Sequence, residues 1–415
     1  MKTHPKLTAI LFFLLCHITI ASSAPLYMAV DNIALSCGTS GNTKATDQRE
    51  WIGDLDLDAK PPKILSPTRQ PVYLISHSHT CFRSPLARNS FACTFIPLHT
   101  QTFVKEFCIN FEKNQKLNLT FIPFSSNYYA FINGIEIISM PIEYMYYSPQ
   151  DFTKDELVPK YVGQAPQFFI NYSMALEMVY RLNVGGNSIS PMEDTGMFRE
   201  WSDGINYLLS GGSNPSDSSV ILKYSKIPNY TALDTVYHAA ISMLSGGSNP
   251  SDSSVILKYS KIPNYTAPDT VYHAAISMGP NSAMNKVSYL TWESPVDTGF
   301  DYLVRLHFCE IDPIINLVSS RVFIVYIDYQ IAEERADVIS WADNKYTPIF
   351  KDYVVKIQNS KDSEKKHILS IDLHPISDPG IIYWDAILND VEMFKLSDSD
   401  GNLVEPSMAP PLLDQ

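Results

Sequence analysis

Two stretches of this 415-residue chain carry the same landmarks in the same order, which restricts the fold more than any other feature. Leu35-Ser-Cys37-Gly38, then Arg49-Glu50-Trp51 and Asp54, is answered by Leu182-Asn-Val184-Gly185, then Arg199-Glu200-Trp201 and Asp203. Lys105-Glu-Phe107 is answered by Lys351-Asp-Tyr353, and Leu117 to Pro123 by Leu369 to Pro375. Each half closes alike, on Ala130-Phe-Ile-Asn133-Gly-Ile-Glu136 and on Ala386-Ile-Leu-Asn389-Asp-Val-Glu392. Matching elements in a fixed order require two copies of one domain, as a length prior of about 150 residues per domain also suggests.

The local periods predict strands. Along Tyr302 to Phe308, Val304, Leu306 and Phe308 point one way while Arg305 and His307 point the other. Leu117, Leu119 and Phe121 alternate with Asn118 and Thr120 in the same manner. Such runs, separated by Gly, Pro, Asn and Asp turns, fit an all-β, two-sheet sandwich. The 24 Tyr, 20 Phe and 28 Pro of the chain favour short strands and turns over long helices.

A second, nearly perfect repeat interrupts the later half. Residues 244–278 reproduce residues 209–243 at 34 of 35 positions, the exception being Leu233, which becomes Pro268. Two copies are too few for a solenoid. Each holds a Gly-Gly-Ser-Asn-Pro turn and a strand-like run, Ser219 to Tyr224 in the first copy, so two equal segments compete for one place and one must loop out. With the duplicated stretch discounted, the spacing from Trp to Lys leaves the first half 61 residues shorter than the second. Nothing in it corresponds to Tyr302–Glu310 or Arg321–Gln330, so central strands are expected to be missing between about Arg83 and Thr102 and the first domain to be unstable alone.

The N-terminus reads as a secretory signal peptide. Lys2 and Lys6 precede an apolar core from Leu7 to Ile20, which is shorter than the ~20 residues a membrane span needs, and Ala21-Ser22-Ser23-Ala24 supplies small residues for cleavage. No later segment reads as a span, and the proline-broken tail offers no GPI signal, so the chain is expected to be secreted. Four sequons agree with that compartment, marking Asn118, Asn171, Asn229 and Asn264 as glycosylation sites. Cys16 would leave with the signal peptide; Cys37, Cys81, Cys93, Cys108 and Cys309 then remain, an odd number that leaves one thiol free or paired with another chain.

Charge and motifs exclude several functions. A net charge of −13 without a basic block argues against nucleic-acid or anionic-membrane binding. The chain has no Gly-x-Ser-x-Gly elbow, phosphate-binding glycine loop, His-Glu-x-x-His helix or kinase signature, so no catalytic residue and no cofactor is assigned. His77-Ser-His79-Thr-Cys81 could offer three metal ligands, but zinc needs four well-placed donors and a solvated strand face is the better reading. Asp54-Leu-Asp56-Leu-Asp58 lacks the glycine turn and terminal glutamate of a calcium loop. Glu136 and Glu392 evoke a glycosidase carboxylate pair, yet repeat-equivalent positions rarely share one site, so both are read as structural. Trp51 and Trp201 are likewise read as core residues.

These landmarks resemble the extracellular region of the FERONIA family of plant receptor kinases, which carries tandem malectin-like domains. The resemblance rests on Asn183-Val-Gly-Gly-Asn187, Ile189-Ser-Pro191, Asp194-Thr-Gly196 and Tyr302 to Glu310. Arg321-Val-Phe323, Ala336-Asp-Val338, Lys351 to Val355 and Asp400-Gly-Asn-Leu403 add to it. The family's Ala-Pro-Asp pattern is kept in the second copy, as Ala267-Pro268-Asp269. The resemblance implies a signal peptide at 1–24, a shortened malectin-like domain A at 27–141 and a linker at 142–178. Domain B then spans 179–396, with the duplication at 209–278, and a flexible tail covers 397–415. It implies a non-catalytic binding module in the apoplast. The implied partners are cell-wall polysaccharide (pectin), rapid alkalinisation factor peptide and a LORELEI-type GPI-anchored co-receptor. A soluble decoy is one expected role; a degenerate receptor fragment without a ligand is the alternative. No short motif marks the ligand contacts.

Overall fold

The computed structural model describes residues 27–45, 49–55, 70–78, 81–83, 104–111, 119–122, 131–141, 144–145, 158–163, 168–210, 253, 255–279, 281–359, 366–398 and 401–404. The first half contributes β1 (Asn32–Ser36), β2 (Asn42–Lys44), β3 (Glu50–Gly53), β4 (Gln70–Ser78), β5 (Cys81–Arg83), β6 (Val104–Phe111), β7 (Thr120–Ile122) and β8 (Ile132–Ser139). A short β9 (Lys160–Tyr161) follows, then β10 (Leu176–Asn183), β11 (Ser202–Asp203), β12 (Leu208–Ser210) and β13 (Ile276–Ser277). The remaining strands are β14 (Leu290–Asp297), β15 (Asp301–Phe308), β16 (Phe323–Ile327), β17 (Gln330–Ala336), β18 (Ile349–Lys356), β19 (Lys366–Pro375), β20 (Ile387–Leu388) and β21 (Asp390–Leu396). The fold is all-β, with a few helices of one turn.

The described strands form one long sheet in the order β2-β3-β1-β8-β4-β6-β10-β21-β15-β18-β9, with β11 beside β10. The internal repeat is visible as topology. The run β1-β8-β4-β6 has the same order as β10-β21-β15-β18, and the strand at each Arg-Glu-Trp motif (β3 overlapping it, β11 directly after it) lies parallel to the first strand of its unit. One sequence expectation is thereby corrected. The position of Tyr302–Phe308 does have a counterpart in the first half, because β4 lies between β8 and β6 as β15 lies between β21 and β18. Spacing measured from Trp51 to Lys105 could not register it, since β4 sits close before the shortened stretch. Among the described residues the second layer of the first half is represented only by the pair β5–β7.

In the second half a five-stranded layer, β12-β14-β19-β16-β17, packs over this sheet. The period-2 rule holds cleanly there: Phe323, Val325 and Ile327 are buried while Ile324 and Tyr326 are half-buried. Leu369, Ile371 and Leu373 join them from β19, and Trp201 and Trp292 fill the core. The β16–β17 hairpin turns on Asp328 and Tyr329, both with positive φ (51° and 62°), as a two-residue type I′ turn demands. β17 forms the layer's outer edge, and Glu333, Glu334 and Arg335 make it a poor template for another strand.

The duplicated segment resolves in favour of its second copy. Ile262, Ala267, Val271, Tyr272, Ala275, Ile276 and Met278 are buried in the core. The first copy lies outside the described residues beyond Leu209 and Ser210. The strand-like run is not a strand in the second copy; Leu257 and Tyr259 pack against the core, and the Lys258 amide donates a 2.8 Å bond to the Tyr346 carbonyl. Three residues read as linker, Leu176 to Met178, already belong to β10.

Candidate functional site

The two halves meet edge to edge. β6 and β10 pair antiparallel, Leu176 opposite Cys108 and Glu177 opposite Phe107, which makes the long sheet continuous. An apolar cluster spans the join, with Cys108, Ile138, Met140, Tyr144 and Met145 against Leu176, Met197, Leu303 and Phe394. Within the second half, Ala175 and Ser397 extend the β10–β21 pairing with reciprocal bonds, amide to Oγ at 3.0 Å and amide to carbonyl at 2.9 Å.

Charge is buried along this join. Fully buried Arg181 grips Glu106 of β6 through both terminal nitrogens, at 2.8 and 2.6 Å, and donates its Nε to Glu392 at 2.8 Å. Glu392 also meets His307 Nε2 at 3.2 Å and the Tyr144 hydroxyl at 3.4 Å. Burial pushes the Glu392 carboxyl up, but the His307 hydrogen bond and the charges of Arg181 and Arg199 outweigh it and hold the carboxyl well below its ordinary range. Burial lowers His307, against the pull of Glu392, so the ring is neutral: Nε2–H donates to Glu392 and Nδ1 accepts from the Tyr272 hydroxyl at 2.8 Å.

Around this core Arg199 is clamped by Asp194 at 2.8 Å and donates to the Tyr144 hydroxyl, while Arg305 takes both oxygens of Asp352 at 2.8 Å. Glu177 bridges Lys105 and Lys395, the latter at 2.8 Å. Both glutamates singled out in the sequence are structural. Glu136 pairs with Arg49 inside the first half and Glu392 lies in the join, so they occupy separate ion clusters.

At the outer end of the long sheet, strands β1, β2 and β3 open a pocket of about 400 Å³ lined by Asn32, Ala34, Asn42, Arg49, Glu50 and Ile52. The Arg49 guanidinium lies over Trp51 at 5.9 Å and over Phe198 of the second half at 5.0 Å. Asn42 donates to Glu50 at 2.8 Å. Amides, a carboxylate and a guanidinium on an apolar floor can hydrogen-bond a peptide backbone or sugar hydroxyls.

The other residues noted in the sequence fall as follows. Asn171 is exposed in a turn, its Oδ1 accepting the Ser173 amide at 2.9 Å. Asn264 is half-buried, and Thr266 of the same sequon is buried, its carbonyl accepting from Arg199 at 2.8 Å. Asn118 and Asn229 lie outside the described residues, as do His79, Asp56, Asp58, Cys93 and the signal segment. The backbone of His77 pairs with Val104 and Gly134, and Asp54 accepts the Gly38 amide at 2.7 Å. Cys37 and Cys309 carry free thiols; burial, then Asp54, pushes Cys37 up to about 11, and burial pushes Cys309 higher still. Trp201 is fully buried, as expected of a core residue, and Trp51 is half-buried.

Sequence reading missed Arg181, Glu106, Tyr144 and Asp352. The available signal was a charge placed inside an apolar strand: Arg181 within Leu176–Asn183, and Glu106 within Val104–Phe111.

Comparison with known proteins agrees with this architecture. Residues 86–396 match the malectin-like domain family. The receptor-like protein kinase FERONIA of Arabidopsis thaliana is 34% identical over 465 aligned residues, covering 98% of this chain and 46% of that protein. The chain thus spans less than half the length of this relative. The crystal structure of the plant peptide RALF23 in complex with FER and LLG2 superposes with a TM-score of 0.69 at 31% identity, over 93% of this chain and 100% of the matched one. The ANXUR2 extracellular domain from the same plant superposes at 0.70 over 92% of this chain, with 24% identity, which speaks for the fold alone. The family match and the FER structure both place the alignment in the malectin-like region. With its repeated sheet, its paired halves and these relatives, the chain belongs to the malectin-like family, as an ectodomain of the FERONIA type.

Proposed function

We propose that this chain is an extracellular, non-catalytic receptor module that binds a rapid alkalinisation factor peptide together with a LORELEI-type co-receptor. The carrying observation is its 31% identity, across 93% of its length, to FER as crystallised with RALF23 and LLG2. The pocket lined by Asn32, Asn42, Arg49 and Glu50 is a candidate contact surface, and cell-wall carbohydrate such as pectin is a second candidate ligand for its polar groups. In the apoplast, such a module released from a membrane would act as a decoy for full receptors.

Immobilised chain, titrated with a RALF-type peptide in the presence and absence of the co-receptor protein, tests this reading. Saturable peptide binding that tightens with the co-receptor is expected. Absence of binding under both conditions would reject it.

The duplication of 209–243 and the shortened first half favour one other reading, a degenerate or wrongly assembled receptor segment without a ligand. Sequencing the transcript separates the two. A single copy of the repeat and a longer first half would point to a different, longer receptor.

A further inference from the structure

The slot filled by the second repeat copy is defined by side chains that the first copy also carries. Ile262, Ala267, Val271, Tyr272, Ala275 and Ile276 fill the core, and their counterparts are Ile227, Ala232, Val236, Tyr237, Ala240 and Ile241. Most of the polar pins are blind to sequence. Asn389 Nδ2 donates to the Ala274 carbonyl at 2.8 Å, Arg199 to the Thr266 carbonyl at 2.8 Å, and the Met278 amide donates to Asp385 at 2.7 Å. β13 pairs with β20, Ile276 opposite Leu388. Two side-chain pins, the Tyr272 hydroxyl to His307 Nδ1 and Lys261 to Asp343 at 2.6 Å, would be made equally by Tyr237 and Lys226.

Connectivity is balanced as well. The first copy begins inside β12, at Leu209, and continues from it, and the second runs without a break into Gly279. Whichever copy is seated, a 35-residue span is left to bridge, after it or before it, so loop closure scarcely distinguishes the two. The single difference is Pro268, which stands at the start of the Asp269–Tyr272 turn of helix with φ −58°, an angle that proline holds in advance and leucine reaches without strain.

We propose that this slot is degenerate: residues 209–243 and 244–278 are alternative occupants, and the molecule divides between two seatings of its own chain. The proline favours the second copy by only about two- to fivefold. Asn229 and Asn264 then exchange environments between the two forms.

Three variants of the full chain test this: Tyr272→Ala, Tyr237→Ala and the double replacement. Each is followed by thermal unfolding and by hydrogen exchange, in which Leu233 and Pro268 give the two copies peptides of different mass. Exchange between copies predicts that Tyr272→Ala keeps a transition within a few degrees of the parent, while amide protection moves from 264–278 to 229–243. Tyr237→Ala should change little. The double replacement, with no intact occupant, should lower the transition by on the order of 10 °C. The proposal is overturned if Tyr272→Ala falls as far as the double replacement or fails to fold. It is equally overturned if protection stays on 264–278 in that variant, because the damaged copy should then have been displaced.

Discussion

Replacing Arg181 with methionine isolates the contribution of the buried charges at the join. Arg181 is fully buried and holds two carboxylates, Glu106 across the join at 2.8 and 2.6 Å and Glu392 within its own half at 2.8 Å. Methionine fills a similar volume beside Trp201 and Phe394, whose rings now lie 5.5 and 6.0 Å from the guanidinium. Packing is therefore largely kept while two buried carboxylates lose their shared cation. Removing one partner of a buried ion pair costs about 3–5 kcal/mol. At about 2–4 °C per kcal/mol for a domain of this size, the midpoint should fall by about 6–20 °C. The assay is thermal unfolding followed by far-ultraviolet circular dichroism at pH 7. A control combines Arg181→Met with Glu106→Gln and Glu392→Gln, which removes the stranded charges and should recover more than half of the loss. The reasoning is refuted if Arg181→Met lies within about 1 kcal/mol of the parent, or if the triple variant is no more stable than the single one.

Other consequences can be measured in parallel. His307 titrates below its ordinary value because it is buried, so the folded state takes up a proton less readily than the unfolded chain; its stabilisation is present above about pH 6.5 and is lost on acidification. A His307→Gln variant should lose less stability than the parent between pH 7 and pH 5, and parallel curves would contradict this. Asp390 behaves oppositely: buried without a side-chain hydrogen-bond partner among the described residues, its carboxyl is raised well above the ordinary range, first by burial and then by Glu392. It therefore destabilises the fold as pH rises, and Asp390→Asn should gain more than about 1 kcal/mol at pH 8 and little at pH 4; an equal gain at both would reject the assignment. Trp201→Ala removes one of the largest fully buried side chains of the core and should cost about 3–5 kcal/mol in denaturant unfolding. Residues 27–141 expressed alone expose the β6 edge that β10 covers, and should show no cooperative transition. Asn171, exposed in its turn, should carry glycan on secreted protein, read as a mass loss on enzymatic deglycosylation.

The tandem architecture was legible because the landmark motifs fall on equivalent strands: Leu35 and Leu182 on the first strand of each unit, Glu136 and Glu392 on the strand beside it. Burial on the second face was not. Alternation in Tyr302 to Phe308 separates two faces correctly, yet Arg305 and His307 are as buried as Leu306, because Tyr144 and the seated repeat copy cover the side a lone sandwich would expose. Period 2 reports which residues share a face and carries no information about what later covers it. The join was illegible for the same reason. Glu106 and Arg181 are 75 positions apart and become partners only because β6 and β10 pair. The run from Val255 to Tyr259 misled by composition: Leu257 and Tyr259 pack against the core while Ile256 is exposed, and β propensity alone supplies no ladder partner.

The most direct test of the account is thermal unfolding of residues 25–415, secreted from a eukaryotic host, with and without a RALF-type peptide and pectin fragments. Two halves sharing one sheet predict a single cooperative transition, and a binding module predicts that it rises with ligand, by about 2.7 kcal/mol at a hundredfold excess over the dissociation constant. A transition that no ligand moves, or no cooperative transition at all, would contradict the assignment of a working receptor module.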